Sequence, residues 1–159
     1  MLVGVPAETR PNESRVALTP AASALLIKSG HSVVVEKGAG IAAGFPDEAY
    51  VASGVAMAAS RAAVFEQAEI VAQVRTFGAN PDAGASDLDL YTAGHMIVGM
   101  SEPMTDQATT TRLAEAGATQ FALELIPRIT RAQSMDVLSS HHLIIVNSRG
   151  ILIGLSQIS

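Results

Sequence analysis

The stretch most crowded with groups able to do chemistry is PRITRAQSMDVLSS, residues 127–140, where Arg128, Gln133, Asp136 and Ser139 follow the apolar run FALELI. That run reads as a buried strand, and Pro127 stops it. Thr130 and Gln133 then match a T-x-x-Q capping box that opens a helix through SMDVLSS. At about 100° per residue, Gln133, Asp136 and Ser139 fall within one wedge of about 120°. One reading is a capped helix with a polar outer face. The other is a set of donors and acceptors at a strand's carboxyl end, suited to an amide or a ring substituent, since a carboxamide needs both at once.

A second concentration is PAETRPNESR, residues 6–15, with Glu8, Arg10, Glu13 and Arg15 just past the run LVGV. Ligands of open α/β sheets bind beyond that edge, and the apolar VAL after Arg15 holds it nearby. Two readings stay open: solvated loop charges, or an arginine gripping a carboxylate bidentately. Arg75 ends EIVAQVR at the same edge and, alone, reads as a strand-end cation. Arg15 and Arg75 together form the candidate anion pocket.

GAGIAAG, 38–44, has the spacing G-x-G-x-x-x-G and is followed by FPDEAY rather than a long apolar helix. A phosphate turn needs a helix N-terminus aimed at the pyrophosphate, so this segment reads as a strand-to-helix loop. His31 and His95 each begin a strand at the opposite edge, without metal-ligand spacing, and read as structural. His141 and His142 are too few for a metal tract, and no metal site is expected.

The elements that must position these groups alternate between short apolar runs and helical patterns. LVGVPA is a strand; Thr19 and Pro20 start a helix as N-cap and first helical residue, and AASALLIKSG carries it to Gly30. HSVVVEKG is a strand, PDEAYVASG a short helix closed by Gly54, AAVFEQA a helical piece and EIVAQVR a strand. A loop, GANPDAGASD, precedes the strand HMIVGMS, the helix TDQATTTRLAEAG and the strand ATQFALELIP. Strands apolar on successive residues imply helices on both faces. The expected fold is α/β: a doubly wound, mostly parallel sheet of the Rossmann or flavodoxin type.

With 159 residues, one domain with one sizeable core is expected. Hydrophobic residues make up 48% and aromatics only 4%, so Ala, Val, Leu and Ile must build that core. A net charge of −5 without a basic cluster argues against nucleic acid. Without cysteine there is no disulfide or thiolate chemistry. MLVGVPAETR turns polar by position 8, unlike a signal peptide, and no uninterrupted apolar stretch reaches the ~18 residues of a membrane span. A soluble, cytoplasmic protein without direct membrane insertion is expected.

Three segments, GVPAETRPNESRVALTP, EKGAGIAAGFPDEAY and PRITRAQSMDVLSS, together resemble the N-terminal domain shared by alanine dehydrogenase and the NAD(H)-binding subunit of proton-translocating nicotinamide nucleotide transhydrogenase. The resemblance covers nearly all of residues 1–140. In the dehydrogenase branch a lysine follows the fourth strand and a histidine the fifth, holding and protonating pyruvate; the corresponding residues here look like Arg75 and Ser101. Serine cannot serve as an imidazole acid or base. RITRAQSMD instead looks like the transhydrogenase loop, whose polar residues contact the nicotinamide of NAD(H). The resemblance thus implies that Arg128, Gln133, Asp136 and Ser139 face the nicotinamide. Arg15 has a counterpart in both branches; in the dehydrogenases it holds a substrate carboxylate, and none is implied here.

What the resemblance implies as a whole is the N-terminal domain, or a truncated form, of a subunit that passes hydride between NADH and NADP+, coupled to proton translocation. A homodimer, an NADP(H)-binding domain and membrane proton-channel subunits are its implied partners, placing it in the cytoplasm beside the inner membrane. The family's Rossmann domain, with its glycine fingerprint, does not follow Ser140. Most dinucleotide affinity resides there, so NAD(H) binding is expected to be weak or absent in this chain alone, and catalysis is not expected of it. Residues 141–159, HHLIIVNSRGILIGLSQIS, read either as an added strand pair covering apolar surface or as a frameshift or readthrough product. The alternatives are a free-standing binding or association module without chemistry and an alanine dehydrogenase fragment, the latter disfavoured by Arg75 and Ser101.

Overall fold

A computed structural model describes residues 1–104 and 107–126. Six strands, β1 (Leu2–Val5), β2 (Ser32–Glu36), β3 (Ala56–Ala58), β4 (Ile70–Arg75), β5 (Met96–Met100) and β6 (Thr119–Ala122), form one sheet in the order β3-β2-β1-β4-β5-β6. Every pairing is parallel. The helices are α1 (Pro20–Lys28), α2 (Asp47–Ala52), α3 (Arg61–Gln67) and α4 (Gln107–Glu115).

Both sheet faces are covered, which explains the unbroken apolar strands. Val3, Val5, Val33, Val35, Ile70, Ala72 and Val74 point to one side and pack with Leu18, Leu26 and Tyr50. On the other side Val71 and Ile97 meet Phe65, Phe77, Tyr91 and Leu113. Local signals set the helix ends: the Thr19 side chain accepts the Ala22 amide at 3.2 Å, and Gly30 leaves α1 at φ 89°. The glycines of 38–44 are turn residues, as expected. Gly38 and Gly44 have φ of 80° and 85°, and a Cβ on Gly40 would lie 2.6 Å from both the Phe45 carbonyl oxygen and the Tyr50 ring.

One expectation needs correction, and two features were not anticipated. FALELI is not one buried strand: β6 ends at Ala122, it is half-exposed, and Leu123–Leu125 is a 3₁₀ turn. An edge strand has one neighbour, and the Glu124 carboxylate turns back onto the amides of Ser101 and Glu102, which bends the chain off the ladder. The strand β3 was not legible, because AMA is short and weak in β propensity. The loop 78–87 is partly ordered by 3₁₀ turns at Phe77–Ala79 and Ala85–Asp89, with Asn80 and Asp87 buried.

Candidate functional site

The strand order places the switch point between β1 and β4, whose following connections lead to opposite sides of the sheet, and a crevice there is where open α/β sheets take ligands. The β1–β4 pairing covers only Val3↔Ile70 and Gly4↔Val71, after which the two chains part. Across β5, β4 carries one extra residue between Ala72 and Arg75. Such a bulge re-aims the backbone: the Val74 and Arg75 amides both donate to the Glu8 carboxylate, at 2.7 and 3.1 Å. The side chain from the first loop thus accepts bonds that a neighbouring strand would otherwise take.

Beside it lies a cluster of opposite charges. Arg15 binds Glu13 bidentately through Nε (2.7 Å) and Nη2 (2.6 Å). Arg75 reaches the same carboxylate through Nε at 3.4 Å and sets Nη1 3.6 Å from Glu102. The hydrogen bond from Arg15 holds the Glu13 carboxyl below its usual pKa, and the same contact raises that of Arg15. Val16, Ala17 and Leu18 are buried and anchor the loop, as the VAL motif implied. Arg15 and Arg75 therefore do meet at one edge, but through a shared acid. The reading of 6–15 as solvated charges holds only for Arg10, which is exposed.

Sequence reasoning missed the support beneath this cluster. Arg61, the first residue of α3, grips Asp87 with Nε (2.5 Å) and Nη2 (2.6 Å) and donates through Nη1 to the Ala7 carbonyl oxygen at 2.5 Å. Asp87 also accepts from Gln73 at 3.0 Å, and the Ala7 amide donates to Glu36 at 2.8 Å. One guanidinium thus ties the loop after β1 to the β4–β5 connection. The nearest sequence signal was an aspartate inside an otherwise loop-like stretch, which cannot reveal a partner 26 residues away.

Beyond β4 and β5, Gln120 donates to Thr76 Oγ1 (3.1 Å), Thr76 to Ser101 Oγ (2.9 Å), and Ser101 Oγ to the Gly99 carbonyl oxygen (3.3 Å). Ser101 is buried and held by hydrogen bonds at the position where the resemblance places a proton-transferring residue in alanine dehydrogenases. Glu102 follows with φ 49°, an uncommon conformation for a non-glycine residue at a strand end. His95 is structural, as expected. Its Nδ1 accepts the Thr92 amide at 3.0 Å, so Nε2 carries the proton and faces the Phe65 carbonyl oxygen at 3.1 Å. Arg128, Gln133, Asp136, Ser139 and the segment 141–159 lie outside the described residues. Among the described residues no acidic or histidine group could hold a metal ion.

Burial pushes the Glu8 carboxyl up to about 7, with Glu13 adding to the effect and the two amides opposing it. Its folded pKa exceeds the ordinary value of 4.5, so its stabilising contribution is complete below about 4.5 and lost as pH rises through about 7. Urea unfolding near pH 5 and near pH 8 is expected to show a loss on the order of 3 kcal/mol from this group, and E8Q removes that dependence.

Residues 4–145 match the family described as alanine dehydrogenase/PNT, N-terminal domain. The chain is 41% identical over 140 residues to NAD(P) transhydrogenase subunit alpha of Cereibacter sphaeroides, covering 88% of this chain and 26% of that protein. It is 36% identical to an NAD(P) transhydrogenase alpha-subunit chain of Rhodospirillum rubrum, covering 88% and 36%. Alanine dehydrogenase of Bacillus subtilis is 47% identical over 129 residues, covering 79% and 32%. A crystal structure of transhydrogenase from Sinorhizobium meliloti superposes with a TM-score of 0.79 at 37% identity, covering 87% and 38%. The chain thus spans between 26% and 38% of the length of these proteins. Among the described residues no helix is long and apolar enough to cross a membrane.

Proposed function

Because the chain belongs to the family of alanine dehydrogenase/PNT N-terminal domains, we propose that residues 1–140 serve as the nicotinamide-facing domain of a transhydrogenase alpha-type subunit. In this reading Arg128, Gln133, Asp136 and Ser139 meet the nicotinamide of NAD(H). A second domain grips the remainder of the dinucleotide, an NADP(H)-binding partner exchanges the hydride, and membrane subunits move the proton. The domain works as a dimer on the cytoplasmic side.

The observation that carries this reading is the commitment of Arg15 and Arg75 to Glu13. Amino-acid oxidation needs a cation for a substrate carboxylate and a group to move a proton. Here the two arginines share an acid, and Ser101 offers a hydroxyl already donating to a backbone carbonyl. The 47% identity to the Bacillus subtilis alanine dehydrogenase favours a second reading, a domain of that enzyme.

Grafting decides between them. Placed in the Rhodospirillum rubrum subunit instead of the matching domain, residues 1–140 are expected to sustain hydride exchange between NADH and NADP+ when the partner subunits are present. Placed in the Bacillus subtilis enzyme, they are expected to leave pyruvate amination by ammonium and NADH at background, at least 100-fold down, as loss of a proton-transfer group costs about 10²–10⁴. The opposite pattern overturns the proposal.

The 159-residue chain by itself is expected to bind NADH with a Kd no tighter than about 1 mM, since the phosphate turn supplies most affinity. A fluorescence titration giving micromolar binding would contradict this.

A further inference from the structure

The carboxyl edge of the sheet holds an acid, Glu8, to which the proposed function assigns no role. Glu8 spans the gap left where β1 and β4 part, and both of its oxygens are used, one on each of two successive backbone amides. Those amides face the same way only because β4 is bulged there. Two charge-assisted bonds from one carboxylate make a strong, directional tie. A neutral carboxyl has less acceptor capacity, and its own hydroxyl proton would point at one of the two donors.

The surrounding charges do not hold Glu8 ionised. Its own loop contributes Glu13, which repels it, and Arg15, which is taken up by Glu13. Arg61 from α3 attracts it, but that guanidinium is matched by Asp87 of the β4–β5 connection and lies 4.0 Å from Glu36 at the end of β2. Arg75 on β4 offers Glu8 its backbone amide while its guanidinium turns to Glu13 and Glu102. Among the described residues, no cation is therefore dedicated to Glu8.

We propose that Glu8 is a proton-operated clamp on the switch-point crevice: ionised, it pins the Val74 and Arg75 amides and fixes Arg75 against Glu13; protonated, it releases one amide and loosens that end. This concerns the crevice itself and holds whichever ligand faces it. Because burial brings the Glu8 carboxyl to about 7, both states are populated near neutral pH. The crevice then responds to protons without a histidine.

The test uses the 159-residue chain labelled with ¹⁵N and ¹³C. The Glu8 carboxyl carbon is expected to titrate with a midpoint near 7. Over the same range global stability rises as pH falls. The protection of the Val74 and Arg75 amides against local opening, corrected for intrinsic exchange, should nonetheless fall about tenfold from pH ~8 to pH ~5.5, because the opened end leaves Glu8 buried with one charge-assisted bond fewer. In E8Q that protection should be low and flat. E13Q should move the Glu8 midpoint down, by removing the repelling charge and freeing two guanidiniums. A midpoint that does not move in E13Q, or amide protection that ignores pH in the wild-type chain, overturns the proposal. Should E8Q fail to fold, the wild-type and E13Q titrations decide alone.

Discussion

Replacing Arg61 by alanine is expected to destabilise the chain by about 3–5 kcal/mol, the usual cost of stranding one member of a buried ion pair. Asp87 is 1% exposed at its side chain and takes two bonds from Arg61. Without them it keeps, among the described residues, only the hydrogen bond from Gln73. The Ala7 carbonyl oxygen loses its donor as well, so the loop that carries Glu8 is freed at its root. Lysine at the same position should recover less than half of the loss, because one ammonium cannot match a bidentate carboxylate and a carbonyl together. Urea unfolding of the two variants measures this. A loss below about 1 kcal/mol in R61A would mean that the pair is no better than a surface contact. Replacing both partners, R61M with D87L, should cost less than R61A alone, since the uncompensated charge is then gone.

Gly99→Ala should cost about 3 kcal/mol, at the upper end of the range for overpacking. Gly99 lies in β5 opposite the extra residue of β4, where the bulge brings the Gln73 carbonyl into the space a side chain would fill. An added Cβ would press on that backbone oxygen and stand 2.8 Å from Thr76 Cγ2. Neither neighbour is the free end of a flexible side chain, so β4 and β5 must separate. The same substitution should therefore weaken the Thr76–Ser101 hydrogen bond and disturb the amides that seat Glu8. Chemical unfolding gives the first effect and amide exchange the second. Gly44→Ala is the control: its Cβ meets nothing within 4 Å, and only its φ of 85° opposes the change, at a cost of about 1 kcal/mol.

The sequence conveyed the sheet far better than its rim. Runs such as SVVVE and IVAQVR are apolar on consecutive residues, and only a strand buried on both faces is written that way. Thr19-Pro20 and the glycines after α1 and α2 marked helix ends by stereochemistry that needs no tertiary partner. The strand ends LVGV and EIVAQVR gave the expectation of two arginines at one edge, and family resemblance added the order of the segments. What stayed hidden depends on partners distant in the chain. Nothing in RAAVFEQ tells that Arg61 closes on Asp87, and nothing in PAETR tells that Glu8 faces inward onto a bulge. FALELI misled because apolar composition records burial but not how long the ladder continues. There a glutamate two residues beyond the end of β6 redirects the chain.

The two outermost strands are brief, three residues in β3 and four in β6, and each borders a longer inner strand. A foreign chain needs a row of unsatisfied amides long enough to template further growth. The borders of this sheet present short rows, and the right-handed twist that accumulates across six parallel strands splays them apart. Pairing of one molecule's sheet edge with the next is thereby discouraged by geometry, so the aliphatic interior is not matched by a long open row of amides at either border.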